Sequence, residues 1–238
     1  MEQSELVVLH HEPLGEQGVL VHGYSPTHGF LALQSYDLPL RERRDLYPLS
    51  LLDIIFLPAT DASRLATLLR IEDALPQPRL QTDLVRLCLS LFIANMLGQI
   101  LPHYPPDPEM GQFIRYTLGL LSTQEKGLAY FPHHFLLDLS VLFGFAPRGT
   151  YTPQTPYLDL ASGNFIPHSS FEEKSTLSSE ASQACALVLQ QAYNHPHLQT
   201  LDQVQRNELL RNLVYYLSLH LEIPLSTQCI DTLHAMLH

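Results

Sequence analysis

Apolar positions change their period once along the chain, near Pro76-Gln77-Pro78. Before that point they come in short runs broken by turn residues. Leu6-Val7-Val8-Leu9 is a compact β-prone run. Gly18 to Tyr24 mixes β-branched, apolar and polar positions and runs into Ser25-Pro26-Thr27-His28-Gly29. Phe30 to Tyr36 then resumes, which predicts a hairpin with a turn of about five residues. Leu51 to Leu57 and Leu65 to Ile71 are two further runs, separated by Pro58-Ala59-Thr60-Asp61. Five short strands with turn signals between them predict a small closed barrel over residues 1–77, of the OB-fold kind.

After Pro78 the period is helical. Thr82 is placed to cap a helix through Leu84, Leu87, Leu91 and Ile100, with Pro102 as its stop. Pro105-Pro106-Asp107-Pro108 is a stiff connection ending in a capping Asp107 with Pro108 at N1, and Phe113, Ile114, Thr117, Leu120 and Leu121 carry the next helix. Pro132 opens another over 133–143, and Gly144 closes it in the C′ position. Residues 146–176, rich in Pro, Gly, Ser and Thr, read as an irregular insert. Helices are predicted at about 178–194 and 203–222, with a short one from Ser226 onward. No internal repeat is visible. Strands first and helices afterwards predict an α+β protein, with an OB-fold-like domain at 1–77 and a helical domain at 78–238.

With 45% apolar residues in 238, the chain can bury a real core. It holds no run of eighteen consecutive apolar residues. Its opening, MEQSELVVLH, carries acid where a secretory leader would carry Lys or Arg. The expectation is a cytoplasmic protein with no membrane association. Cys88, Cys185 and Cys229 lie far apart without CxxC spacing and read as buried thiols, not as a disulfide framework or a zinc site. Of thirteen histidines, the close groupings are His10-His11, His133-His134 and His195-Pro196-His197, none with the HExxH pattern of a metal-binding helix. There is no GxSxG elbow, no phosphate-cradling glycine run and no GxGxxG after a strand. No catalysis, metal or cofactor is expected.

The formal charge of −11 weighs against nucleic acid as a partner: residues 1–80 hold six Arg against eleven acids. Any such contact must come from a local patch. One exists at Arg41-Glu42-Arg43-Arg44, between the hairpin and the next strand and close to Tyr36 and Tyr47. On a barrel, cations of this kind track phosphate and aromatics stack on bases. The plainer reading is a solvated loop whose Glu42 and Asp45 neutralise the arginines.

Four segments in order carry a resemblance. His11-Glu12-Pro13-Leu14-Gly15-Glu16 leading to Tyr24-Ser25-Pro26-Thr27-His28-Gly29-Phe30 resembles the opening of the RecO family of recombination mediators. Phe135-Leu136 with Leu142-Phe143-Gly144-Phe145-Ala146-Pro147 is similar to that family's helix and its Leu-Gly-Phe-x-Pro stop. Pro156-Tyr157-Leu158-Asp159-Leu160-Ala161-Ser162-Gly163-Asn164-Phe165 resembles the segment that replaces a four-cysteine zinc motif in one branch. Arg206 through Arg211 to Tyr215-Tyr216-Leu217-Ser218-Leu219-His220-Leu221 resembles its Arg-x-x-Leu-Leu…Tyr-Tyr-x-Leu-His helix.

The resemblance implies an OB-fold followed by a helical domain, without an enzyme active site. It implies binding of single- and double-stranded DNA, annealing of complementary strands and cooperation with RecR. It also implies help to RecA in displacing the single-stranded-DNA-binding protein, whose acidic, Phe-ending tail would dock in the helical domain. An acidic tail needs a cation beside an apolar pocket; Arg115, Lys126, Arg206 and Arg211 are the cations available, and Phe135, Leu139 and Leu142 the apolar wall. The chain departs from the family in its short Leu33–Leu40 stretch, whose one charge is Asp37, so that Arg41, Arg43 and Arg44 stand in for a longer basic loop. Three phosphate contacts imply a loss of roughly 40-fold in affinity between 50 and 200 mM salt. Two other classes compete: an adaptor of the same fold with little DNA binding, and a hydrolase, which a cluster of Ser, His and acid would mark.

Overall fold

The five amino-terminal strands close on themselves. In the computed structural model, β1 (Glu2–Leu14), β2 (Gly18–Ser25), β3 (Gly29–Ser35), β4 (Leu51–Leu57) and β5 (Ala66–Leu75) pair in the order β1-β2-β3-β5-β4, and β4 returns to β1. All these pairings are antiparallel except β3 with β5. The structure describes residues 1–60, 65–169, 175–191, 193 and 201–236. A closed barrel followed by helices is the α+β, OB-fold-like architecture that the change of period predicts. Alternate positions fill the barrel: Leu6 and Val8, Val19 and Val21, Leu33, then Leu52, Ile54 and Phe56, and Leu68. Leu38 and Leu46 plug it from the connection between β3 and β4. Val7 and Leu9 lie outside this cluster and are still buried, on the face of β1 against which α3 (Leu84–Ile100) packs. Burial on both faces is why 6–9 reads as an unbroken apolar run.

The strands overrun the apolar runs that announce them. β1 continues through His10-His11-Glu12 and β5 through Glu72-Asp73, polar stretches with no periodic signature. The chain divides into two compact units, Met1–Ser122 and Thr123–His238. Strands give way to helices at Pro78, but the first unit reaches beyond it, and the 78–122 segment belongs with the barrel. Tyr24 fastens it there: its phenol donates to the Asp107 carbonyl and accepts from the Asp107 amide, both at 2.9 Å. In the same region Pro26 lies so close to Gly111 that any Cβ at that position would clash.

α1 (Leu40–Arg43) is a single turn in the stretch the sequence leaves as a loop, and α2 (Pro78–Thr82) is another. The cap of α3 is Asp83, which accepts from the Arg86 amide at 3.1 Å; Thr82, the cap the sequence suggests, bonds back to the Pro78 carbonyl instead. Buried Arg86 reaches the Asp83 carboxylate at 2.5 Å and the Leu121 carbonyl at 3.0 Å, joining the start of α3 to α4 (Pro108–Thr123). The Arg86 amide bond comes first, with the guanidinium adding to it, in holding the Asp83 carboxyl below its ordinary range. Leu84–His103 is long and apolar enough to cross a membrane by length and composition, and 61% of its most apolar window is buried inside the fold. α4 is capped by Asp107 as expected, through Glu109 N at 2.8 Å.

In the second unit α5 (Phe131–Leu142) packs against α6 (Ser179–Gln190) and α7 (Gln203–Leu221), and α8 (Gln228–Met236) packs on α7. Gly144 ends α5 with φ of 82°, as a C′ glycine should. The 146–176 insert is more ordered than its composition suggests, since β6 (Tyr157–Asp159) and β7 (Asn164–Ile166) form a small hairpin. Three of the resembling segments meet there. Tyr216 of α7 donates to the Phe145 carbonyl, and His220 Nε2 donates to the Leu160 carbonyl at 3.0 Å. The rings of Phe145 and His220 stack at 5.1 Å. Gly163, at φ of 69°, leaves room for the Tyr216 hydroxyl, which would stand 2.7 Å from a Cβ.

Candidate functional site

The basic patch sits on α1 and the residues beside it. Arg43 turns inward: its Nε donates to the Leu38 carbonyl at 2.9 Å and its guanidinium also donates to the Gln17 carbonyl in the β1–β2 turn. Tyr36 joins it there, its ring lying where a Cβ on Gly18 would come within 3.1 Å, and 57% of the residue stays exposed. Among the described residues Glu42 pairs with no arginine. Its carboxylate accepts from the Ile71 amide at 3.0 Å, where a register shift between Asp53 and Ile54 disturbs the β4–β5 ladder. Arg41 and Arg44 are exposed, and neither side chain has a hydrogen-bond or ion-pair partner among the described residues. Tyr47 is half-buried in the connection that leads on through Leu49, whose φ of 65° and bond to the Val8 carbonyl fix the entry to β4. The patch is therefore two exposed cations, a third that anchors their turn, and one open aromatic face.

The same unit holds a groove that the sequence does not announce. Its floor is a row of rings across three strands: His10 of β1 stands opposite His22 of β2 with centroids at 6.1 Å, and His22 lies 5.8 Å from Phe30 of β3. The wall is one face of α3, Leu91, Ala94, Asn95, Gly98 and Gln99, and Leu9 and Pro48 complete a cavity of about 340 Å³. Burial first, and then His10, keep the His22 imidazole below its ordinary pKa against the opposing pull of Glu12, 3.9 Å away.

The structure also contains a hydroxyl–imidazole–carboxylate cluster. Thr27 Oγ1 lies 2.8 Å from His28 Nδ1, and His28 Nε2 lies 2.8 Å from Glu2, with Ser25 and Ser4 alongside. Ser25 is wholly buried and its oxygen accepts from the amides of Thr27 and His28 at 3.2 and 3.1 Å. Amides that would steady an oxyanion are thus turned onto the serine, and the cluster locks the β2–β3 turn.

The residues assigned to a partner groove are divided between the two units and differ in exposure. Arg115 belongs to the first unit, on α4, where it pairs with Glu5 of β1. Phe135 and Leu139 are fully enclosed in the interior of the second unit, while Leu142 is half-buried. Arg206 is held by the Leu201 carbonyl at 2.9 Å and lies 5.8 Å over the Tyr130 ring. Lys126 is exposed, and Arg211 pairs with Asp231 at 2.6 Å on the surface. What the sequence reading overlooks is the outer face of α7, where Tyr215 and Leu219 follow Arg211 at four-residue steps and are 44% and 40% exposed. Their position in a helix of alternating burial is the signal that could have found them.

Cys88 and Cys185 are buried, and burial pushes the Cys185 thiol up to about 12; Cys229 is half-buried. His195-Pro196-His197 lies outside the described residues. Among the described residues no three His, Cys, Asp or Glu side chains are grouped to hold a metal ion.

No protein-family model matches the chain. It is similar to DNA repair protein RecO of Azobacteroides pseudotrichonymphae genomovar. CFP2, 24% identical over 151 residues that make up 62% of this chain and 61% of that protein. It is also similar to DNA repair protein RecO of Porphyromonas gingivalis, 26% identical over 147 residues, 60% of this chain and 59% of that protein, with the same figures in a second strain. The chain thus spans about three-fifths of the length of the curated relatives it matches. These three relatives, with the closed barrel, its helical continuation and the order of the resembling segments, support the RecO family for this chain.

Proposed function

We propose that this chain serves DNA repair as a non-catalytic recombination mediator working in the cytoplasm. It binds single- and double-stranded DNA, promotes annealing, and with RecR helps load RecA on DNA covered by the single-stranded-DNA-binding protein. The observation that carries this reading is the pair of exposed cations, Arg41 and Arg44, without a side-chain partner among the described residues, beside the open ring of Tyr36 on a closed barrel. Two such cations on a chain of net charge −11 make a weak phosphate site, which fits a protein that acts together with partners. Arg43 contributes by holding the turn that presents them. For the acidic tail of the single-stranded-DNA-binding protein, the reading favours the outer face of α7, with Arg211 as the cation and Tyr215 and Leu219 as the apolar contact; Lys126 and Arg206 are accessory.

The test is annealing of complementary oligonucleotides coated with the single-stranded-DNA-binding protein, with RecR present. The R41E/R44E variant should anneal at least tenfold more slowly than the parent protein. Equal rates, with circular dichroism unchanged, would remove the barrel patch from the mechanism. A second reading, an adaptor of the same fold that contacts proteins and not DNA, is favoured by the acidic balance. It predicts that RecR and the tail peptide bind while no oligonucleotide does.

A further inference from the structure

We infer that the groove between the outer face of β1–β3 and α3 is a pocket for a single planar heteroaromatic base. The inference rests on the DNA-binding reading for the strand that would deliver the base; the pocket's own chemistry does not. Three features of the lining select the ligand. The floor is made of aromatic rings, His10, His22 and Phe30, spaced at 6.1 and 5.8 Å along one face, which is a stacking platform in place of the aliphatic wall an acyl chain would meet. Among the described residues no Lys, Arg, Asp or Glu lines the cavity, which suits a neutral ring and not a phosphate. The α3 wall brings a hydrogen-bonding group: Asn95 Oδ1 accepts from Gln99 Nε2 at 2.7 Å, so the Asn95 amide can offer a base only its Nδ2 donors.

Size and position agree. A cavity of about 340 Å³ lies at the small end of ligand sites, right for one base or nucleoside. Gly98 of α3 opens it, since a Cβ built there meets nothing within 4 Å. Pro48 on its rim follows Arg44 by four residues, so the pocket edge is at most about 14 Å along the chain from that cation. A strand held by its phosphates at Arg41 and Arg44 is thus within reach of lodging a base beside His22.

The experiment uses 2-aminopurine, whose fluorescence falls on stacking; the chain has no Trp to interfere. Two probes are titrated with the intact protein: free 2-aminopurine riboside, and an oligothymidylate carrying one central 2-aminopurine and a terminal dye for anisotropy. Both probes should be quenched by the parent protein. Gly98→Leu, which fills the cavity and favours helix, should weaken riboside binding by about 5- to 150-fold, the range that one stacked ring represents, while dye anisotropy still reports bound strand. If Gly98→Leu is misfolded by circular dichroism, His22→Leu takes its place. Quenching of the riboside without strand binding would uphold the pocket for free nucleosides and count against the DNA reading. Strand binding with neither base quenched, or quenching unchanged in the folded filled variant, would overturn the pocket and leave the DNA reading standing.

Discussion

Two adjacent histidines at the start of α5 should make the second unit acid-sensitive. His133 and His134 are both buried, and desolvation is the first cause that drives each pKa down from 6.5 to about 4, with the positive charge of a neighbour adding to it. His133 donates from Nε2 to the Arg206 carbonyl at 2.9 Å, and the backbones of Arg206 and Tyr130 offset only part of the desolvation, while the Nε2 of His134 has no hydrogen-bond partner among the described residues. The unfolded chain takes up these protons near pH 6.5 and the folded chain only near 4. Stability is therefore whole above pH 6.5 and falls as the pH drops toward 4. At about pH 5 each ring costs about 2 kcal/mol relative to about pH 7.5, and the two together about 4 kcal/mol if they titrate independently. Asp138 opposes this in part: burial raises its pKa despite the bond from Tyr193, so it takes up its proton early. Urea titrations followed by far-UV circular dichroism at the two pH values, on the parent and on His133→Gln/His134→Phe, isolate the histidine share. The parent should lose about 4 kcal/mol more than the variant. An equal loss in both proteins would show that the buried histidines do not carry the acid sensitivity.

Three further outcomes follow from the packing. Arg86→Met leaves the Leu121 carbonyl and the Asp83 carboxylate without their shared cation, and should cost the first unit about 3 kcal/mol by urea denaturation. Gly163→Ala forces a Cβ to within 2.7 Å of the Tyr216 hydroxyl at a left-handed φ, and a loss of about 1–3 kcal/mol should appear as a lower thermal midpoint. Tyr24→Phe removes both bonds to Asp107 and should destabilise by about 1–3 kcal/mol, with faster amide exchange at Asp107.

The barrel was legible because its strands alternate around one core: Ile54 and Phe56 face in while Asp53 faces out. Strand ends were not, because His10-His11-Glu12 pairs through its backbone in an exposed arm and leaves no apolar trace. The α3 cap fell one residue late because Thr82 had a nearer acceptor in its own preceding turn. The patch could be read as a position, but not as a division of labour. Whether Arg43 reaches solvent or the Gln17 carbonyl depends on how the β1–β2 turn folds back, a long-range contact. Phe135 and Leu139 looked like a groove wall because apolar residues on a helix read alike whether a neighbouring helix or a ligand covers them. The ring row of His10, His22 and Phe30 was invisible for a related reason: register brings together residues that are twelve and eight positions apart.

The most direct measurement of the central claim is fluorescence anisotropy of a labelled single-stranded oligonucleotide, at 50 and 200 mM salt, alone and with RecR. With Arg41 and Arg44 as the two phosphate contacts, binding should weaken about sevenfold across that range and vanish in the R41E/R44E variant. No binding under any condition by the folded protein, or binding indifferent to salt and to both substitutions, would contradict the account.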